Sequence, residues 1–293
     1  MHDLPEEVGT RNVAAIVRLP KSIFALVLAC CLIAALVLAH GDLHPRIIEI
    51  TEQIKLSPTN ALLYFQRAEL YRIDGDFTNA LADLNEVARL DRSLKRVDFL
   101  RGQVQLDANQ PQAAIAPLNR YLADHPPDPE AYTARARVLA KLNRPAPAIE
   151  DYNQAIKLSS TPNPELFIER AAAWRALDKP EEAIRGLDEG IRRLGPIVTL
   201  QLPAVDAELA LKHTDAALAR IDTVMARLQR KESWLVRRAE ILRDARREEE
   251  ARTNYFAALE AINRLPSAHR GTRMTLELES RIRTALSTNA MTK

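Results

Sequence analysis

The sequence predicts an all-α solenoid, and residue registers running in phase over most of the chain carry that expectation. Six alanines, Ala80, Ala114, Ala148, Ala183, Ala217 and Ala251, are separated by 34, 34, 35, 34 and 34 residues. Twelve positions before each alanine stand Ala68, Gly102, Ala136, Ala171, Val205 and Ala239, all small except the fifth. Four positions after each alanine stand the large side chains Leu84, Leu118, Tyr152, Leu187, Ile221 and Tyr255. Each unit therefore reads as two amphipathic helices with a short break between them, such as Ile73 to Phe77 in the first. Small residues fall where two helix backbones must approach, and the large residue fills the space beside them.

The first segment, residues 1–39, is dominated by an apolar run at 22–39 that follows Arg18 and Lys21 and ends in Val37-Leu38-Ala39. A basic flank, an apolar core and small residues before the end make a secretory signal peptide, with cleavage after Ala39 leaving His40 first. The rival reading is an uncleaved N-terminal membrane anchor, because a run of 18 residues is just long enough to span a bilayer. Either reading places the repeats outside the cytoplasm, in the periplasm or held at the inner membrane. The only cysteines, Cys30 and Cys31, lie in this run, so the remainder has no disulfide or thiol chemistry. Val27 to Cys30 loosely resembles a lipoprotein signal, but lipidation at Cys30 would leave a further apolar stretch on the product.

Residues 40–58 predict a half-repeat: Pro45 to Leu56 has the pattern of Ala148 to Leu158 and suits a helix that covers the open face of the first unit. Six complete units then fill residues 59–266, starting near Ala61, Lys95, Pro129, Pro164, Val198 and Glu232. Breakers mark their boundaries: Ser57-Pro58, His125-Pro126-Pro127, Thr161 to Pro164, and Gly195-Pro196. The fifth unit is the misfit, with Val205 at the small position, Glu208 where an aromatic or leucine is usual, and Pro203 inside the first helix. Proline in a helix interior costs about 3 kcal/mol. The expectation is therefore a helix starting at Pro203 after an irregular lead-in from Val198 to Leu202. Residues 267–293 predict a capping helix, about Arg270 to Leu286, with Met274, Leu278, Ile282 and Leu286 on one face, and then a tail.

The period and its residues resemble the tetratricopeptide repeat. The third unit carries Tyr132, Ala136, Ala148, Tyr152 and Ala155 in the family's places, and the first carries Tyr64, Ala68, Tyr71, Gly75 and Ala80. With the N-terminal segment, the chain looks like an exported bacterial member of that family. The resemblance implies a right-handed superhelix whose first helices line a concave groove for a protein or peptide partner. The groove positions here are Phe65, Glu69, Arg72, Phe99, Gln103, Leu106, Arg137, Lys141, Ile168, Arg175, Val236, Glu240 and Arg243. Phe65 and Phe99 are expected to form an exposed apolar shelf, and Arg137, Lys141 and Arg175 a basic centre. The family's carboxylate clamp needs a Lys/Asn/Arg set that these positions do not reproduce.

Formal net charge is +2 and the arginines are spread over all units, which argues against nucleic acid as the partner. The chain has no zinc-ligand pair on one helix, no phosphate loop and no nucleophile elbow, and its His125, His213 and His269 are isolated. No catalytic activity and no cofactor are therefore expected. The membrane is expected as a partner only through an uncleaved N-terminal segment. One metal site suggests itself: a free amine on His40 with His44 four residues on would suit Cu(II). Arginine also recurs just before the small position, at Arg67, Arg101, Arg135, Arg170 and Arg238, with Asp83 and Asp151 sixteen residues after two of them. The ladder reads as structural ion pairing, or else as a row reaching for acidic ligands. Together these features predict a non-catalytic scaffold outside the cytoplasm, with a copper-handling protein and a regulatory subunit of an envelope enzyme as alternatives.

Overall fold

The computed structural model describes residues 43–288, and among these every regular element is helical. The apolar run at 22–39 and His40 lie outside the described residues. Among the described residues no helix is long and apolar enough to cross a membrane. The chain divides into two compact units, the first running to Asp91 and the second from Arg92.

The first unit holds α1 (Leu43–Leu56), α2 (Ala61–Asp74) and α3 (Phe77–Leu90). Asn60 caps α2 by accepting from the Leu62 backbone N–H, and Asp76 caps α3 by accepting from that of Asn79. Helix α2 packs on both its neighbours, burying Ala68, Ala80, Leu84 and Val87 completely. Helix α1 contributes Ile47 and Ile54.

The second unit holds α4 (Arg96–Asp107), α5 (Pro111–Asp124), α6 (Pro129–Lys141), α7 (Pro145–Leu158), α8 (Pro164–Ala176), α9 (Pro180–Leu194), α10 (Val198–Ala210), α11 (Thr214–Met225), α12 (Glu232–Asp244), α13 (Glu248–Asn263), α14 (Ser267–Arg270) and α15 (Arg273–Thr288). Proline opens five of these helices at its first position, where the missing N–H costs no hydrogen bond. The helices pack as pairs α4/α5, α6/α7, α8/α9, α10/α11 and α12/α13, each joined by a short turn, and each pair packs on the next. The fold is thus a succession of packed helix pairs, as the period requires.

All of the repeated apolar positions are buried, from Ala114 and Leu118 through Ala148 and Tyr152 to Ala251 and Tyr255. Gly190 shows why size is fixed there. A Cβ on it would sit 2.8 Å from Phe167 Cγ and 3.1 Å from Leu200 Cδ1. Gly190→Ala is expected to cost about 1–3 kcal/mol through overpacking, read as a lower urea midpoint in a denaturation curve. A midpoint unchanged from the native chain would show that the contact yields freely.

The turn inside each pair has one recurring device. Gly75, Asn109, Asn143, Asp178, Lys212 and Arg246 all adopt left-handed backbone, with φ from 54° to 82°. The residue after each donates its N–H to a carbonyl five positions back, as Gln110 does to Gln105 and Arg247 to Leu242. This closes the last helical turn in a Schellman geometry, and glycine supplies it only once.

Two expectations need correction. Helix α10 begins at Val198, not Pro203, and carries Pro203 in its interior. The proline lies only one turn in, and Leu200 and Ala204 are completely buried in the core that α10 shares with α8 and α9. Burial of these side chains offsets the missing hydrogen bond, and the Ile197 carbonyl accepts from both Leu200 and Gln201. At the C-terminus, Ile282 is buried and Leu278 and Leu286 pack on the last core cluster, but Met274 is 72% exposed. In the first turn of α15 it is Thr275 that is buried, its hydroxyl donating to the His269 carbonyl at 3.0 Å, while Met274 faces outward.

Candidate partner-binding face

In the second unit the first helices of successive pairs touch one another: α4 with α6, α6 with α8, and α8 with α10. Their contact makes a continuous face on which the expected groove residues can be placed. Phe99 is 3% exposed and stacks on Tyr121 with ring centroids 5.1 Å apart. In the first unit Phe65 is 6% exposed. Neither ring is a shelf for a partner. Val236 is likewise buried, while Leu106 and Ile168 are half-buried and pack on core clusters. The fifth position, where it holds Phe65, Phe99, Ile168 and Val236, therefore belongs to the packing, whereas Leu202 at the same place in the fifth repeat is exposed.

The polar members stay at the surface. Arg137 is exposed but donates through Nε to both oxygens of Glu169, at 3.1 and 3.0 Å, which neutralises it. Glu169 is at the sixth position of its unit and Arg137 at the ninth of the preceding one. The pair Asp206 and Arg237 repeats that geometry with the charges exchanged, at 3.0 Å. Lys141 is exposed and its Nζ donates to the amide oxygen of Asn109 at 3.0 Å, so its charge is uncompensated. Arg175 is exposed on the last turn of α8, as Lys141 is on the last turn of α6. Gln103 is half-buried on α4, and Glu69 and Arg72 are half-buried on α2 of the first unit. What remains of the basic centre is Lys141 and Arg175.

Glu240 and Arg243 from α12 line a separate open pocket of about 680 Å³, together with Tyr255 of α13 and Glu277, Ser280, Arg281, Thr284 and Ala285 of α15. Glu240 pairs with Arg281. The nearest acid to Arg243 is Asp244, at 3.7 Å, which is beyond hydrogen-bonding distance.

The arginine ladder is structural. Arg67 grips both oxygens of Asp83 at 2.8 Å and donates its third nitrogen to Thr51 at 3.0 Å. Arg135 does the same with Asp151, at 2.7 Å twice, and with Asn119 at 3.0 Å. Each reaches sixteen residues forward to its own second helix and sixteen back to the preceding one. Arg238 reaches only back, to Asp222 at 2.9 Å, and Arg170 bonds Asn153, the Gly186 carbonyl and Glu189. Burial pulls the Arg101 guanidinium down from its usual range. The misfit fifth unit inverts the polarity: Ala204 replaces the arginine, Arg220 replaces the aspartate, and buried Glu208 answers it at 3.0 Å. Arg220 also holds Asp188 at 2.8 Å, and His213 Nδ1 lies 3.1 Å from Glu208. Glu208 stands where the pattern wanted an apolar side chain because Arg220 is waiting for it.

The isolated histidines have ordinary roles. His125 stacks on the Tyr121 ring, with centroids 4.1 Å apart, and His213 stands before α11 with its ring nitrogen on Glu208 rather than on the helix end. His44 is exposed on the first turn of α1, and its proposed partner His40 falls outside the described residues. Among the described residues no three metal-ligating side chains converge.

Comparisons with known proteins agree with the packing. Residues 65–129 and 99–163 match the family model described as tetratricopeptide repeat. The C-terminal part of a repeat-containing protein from Cytophaga hutchinsonii is similar over 84% of this chain and 97% of its own, with 14% identity and TM-score 0.64. PilW, a type IV pilus biogenesis factor, is similar over 67% of this chain and 90% of its own, with 18% identity and TM-score 0.55. YrrB, a tetratricopeptide-repeat protein with an unusual peptide-binding site, is similar over 60% of this chain and 91% of its own, with 18% identity and TM-score 0.51. At these identities the likeness is one of fold. No curated protein matches the chain.

Proposed function

From the premise that this chain is a tetratricopeptide-repeat protein, we propose that it is a non-catalytic scaffold holding an acidic protein segment on the first-helix face of its second unit. One observation carries the reading: Lys141 and Arg175 stand exposed at the last turns of two touching first helices, while Arg137 beside them is neutralised. Exposed cations on a continuous helical face attract acidic segments at long range and fix their register. The tetratricopeptide scaffold itself is shared by proteins of many roles, so this surface rather than the fold sets the partner.

The test is the pair Lys141→Glu with Arg175→Glu. Stability should stay within about 0.5 kcal/mol, since both side chains are at the surface. Capture of native partners from an envelope extract, scored by mass spectrometry, should fall by about tenfold or more. An unchanged partner set would sink the assignment of this face.

Export belongs to the same proposal. The basic flank and apolar run at 22–39 support removal of residues 1–39 and a scaffold outside the cytoplasm. N-terminal sequencing of the native protein is expected to begin at His40. An intact start recovered in the membrane pellet would establish an anchor instead.

A further inference from the structure

The two edges of the second unit carry unlike charge. In each helix pair the first helix starts and the second ends at one edge, and the turn within the pair lies at the other. Lys157 stands in the last turn of α7, Arg192 in the last turn of α9, and Arg227 just past the end of α11. Residues 157, 192 and 227 are separated by 35 and 35, one repeat each time, so they recur along the same edge. Lys231 follows in the same loop, before α12. All four are exposed, and none has an ion pair or side-chain hydrogen bond among the described residues. Arg193 and Arg264 beside them are engaged, with the Ile156 and Ser159 carbonyls and with Glu260.

A helix C-terminus attracts cations, and that alone would account for Lys157 and Arg192. The same dipole would then place acids at the helix starts on this edge. Helix α10 has no acid in its first turn, and Glu232 of α12 is buried against Arg230 at 2.6 Å. Glu165 is the one exposed first-turn acid of α8, α10 and α12. At the opposite edge the starts of α9, α11 and α13 carry Glu181, Glu182, Asp215, Glu248, Glu249 and Glu250. Acids are thus sorted to one edge, and the other keeps a row of uncompensated cations.

Exposed cations at a repeat interval suit a plane of like charges better than one small ligand. Each Lys or Arg near an anionic bilayer surface adds to the attraction. Single-stranded nucleic acid calls for rings on which bases stack. The one exposed aromatic ring among the described residues, Phe256, lies in mid-helix on α13. The apolar run at 22–39, as leader or as anchor, brings the chain to a membrane. We propose that this edge docks on an anionic phospholipid surface, with Lys157, Arg192, Arg227 and Lys231 against the headgroup phosphates.

The contact is separate from Lys141 and Arg175, and neither reading rests on the other. The chain from His40 to Lys293 suits the test, because it keeps every described helix and core cluster without the apolar run. It is sedimented with phosphatidylcholine vesicles, with and without an equal share of phosphatidylglycerol. Binding is expected to the mixed vesicles alone, and to fade as salt is raised. Lys157→Gln, Arg192→Gln, Arg227→Gln and Lys231→Gln should each weaken it by about threefold to fivefold, and together by about a hundredfold or more. Removing the same charge from the opposite edge, by Arg144→Gln, Lys179→Gln, Lys212→Gln and Arg246→Gln together, should weaken it less than about threefold. Melting curves should not change, since all of these side chains are exposed. Equal losses from the two edges would overturn the proposal, because net charge alone would then be read. Sedimentation indifferent to phosphatidylglycerol would overturn it as well. Tighter binding to duplex DNA than to the mixed vesicles, lost with the same four changes, would reassign the edge to nucleic acid.

Discussion

Phe99→Ala is expected to destabilise the second unit by about 3–5 kcal/mol, the cost of removing an aromatic ring from a packed core. The ring is buried and stacks on Tyr121, in a cluster with Ala114, Leu118, Ala131 and Val138. Its loss removes the transferred area and leaves a cavity that helices pinned on both sides cannot close. Phe65→Ala should act with similar size on the first unit, where that ring is also buried. Circular-dichroism melts of the two variants measure the effect directly. If melting were unchanged while partner capture disappeared, the rings would be a binding shelf after all, contrary to their burial.

Asp151→Ala is the second large effect, again about 3–5 kcal/mol, because it strands a partly buried guanidinium. Asp151 side-chain exposure is 6%, and its two oxygens take two donors from Arg135 at 2.7 Å. Without it Arg135 keeps only the amide oxygen of Asn119 and the Tyr132 ring, 5.8 Å away. Replacing both partners, as Arg135→Met with Asp151→Leu, should be far milder than the single change, since no unpaired charge remains buried. Urea unfolding of the two singles and the double gives the coupling. A single Asp151→Ala within about 0.5 kcal/mol of the native chain would show that the pair is effectively solvated.

The ladder also shows how far the sequence could be read. The recurrence of arginine before the small position, with aspartate sixteen residues on, was enough to propose pairing within the first and third repeats. It did not show that the same guanidinium reaches back to Thr51 or Asn119, because that contact depends on how one helix pair sits on the previous one. In the fifth repeat, Glu208 reads as a departure, and only its meeting with Arg220 in space makes it an inverted version of the same bond. The expected groove residues rest on position number alone, which places a Cβ but not a side chain. Phe99 and Val236 turn into the packing, whereas Lys141 and Arg175 stay at the surface.

By itself the sequence determined the helix pairs and their buried registers, from Ala80 and Leu84 to Ala251 and Tyr255. A fixed period with small residues facing large ones leaves two helices a single way to bury both. Tertiary structure alone decided the start of α10 at Val198, where the burial of Leu200 and Ala204 overrides a proline. It decided the left-handed turns at Lys212 and Arg246, which side chains of that size do not announce. Local pattern reports what a residue does within its own helix. A partner sixteen or thirty-two residues away is chosen by the crossing of helices.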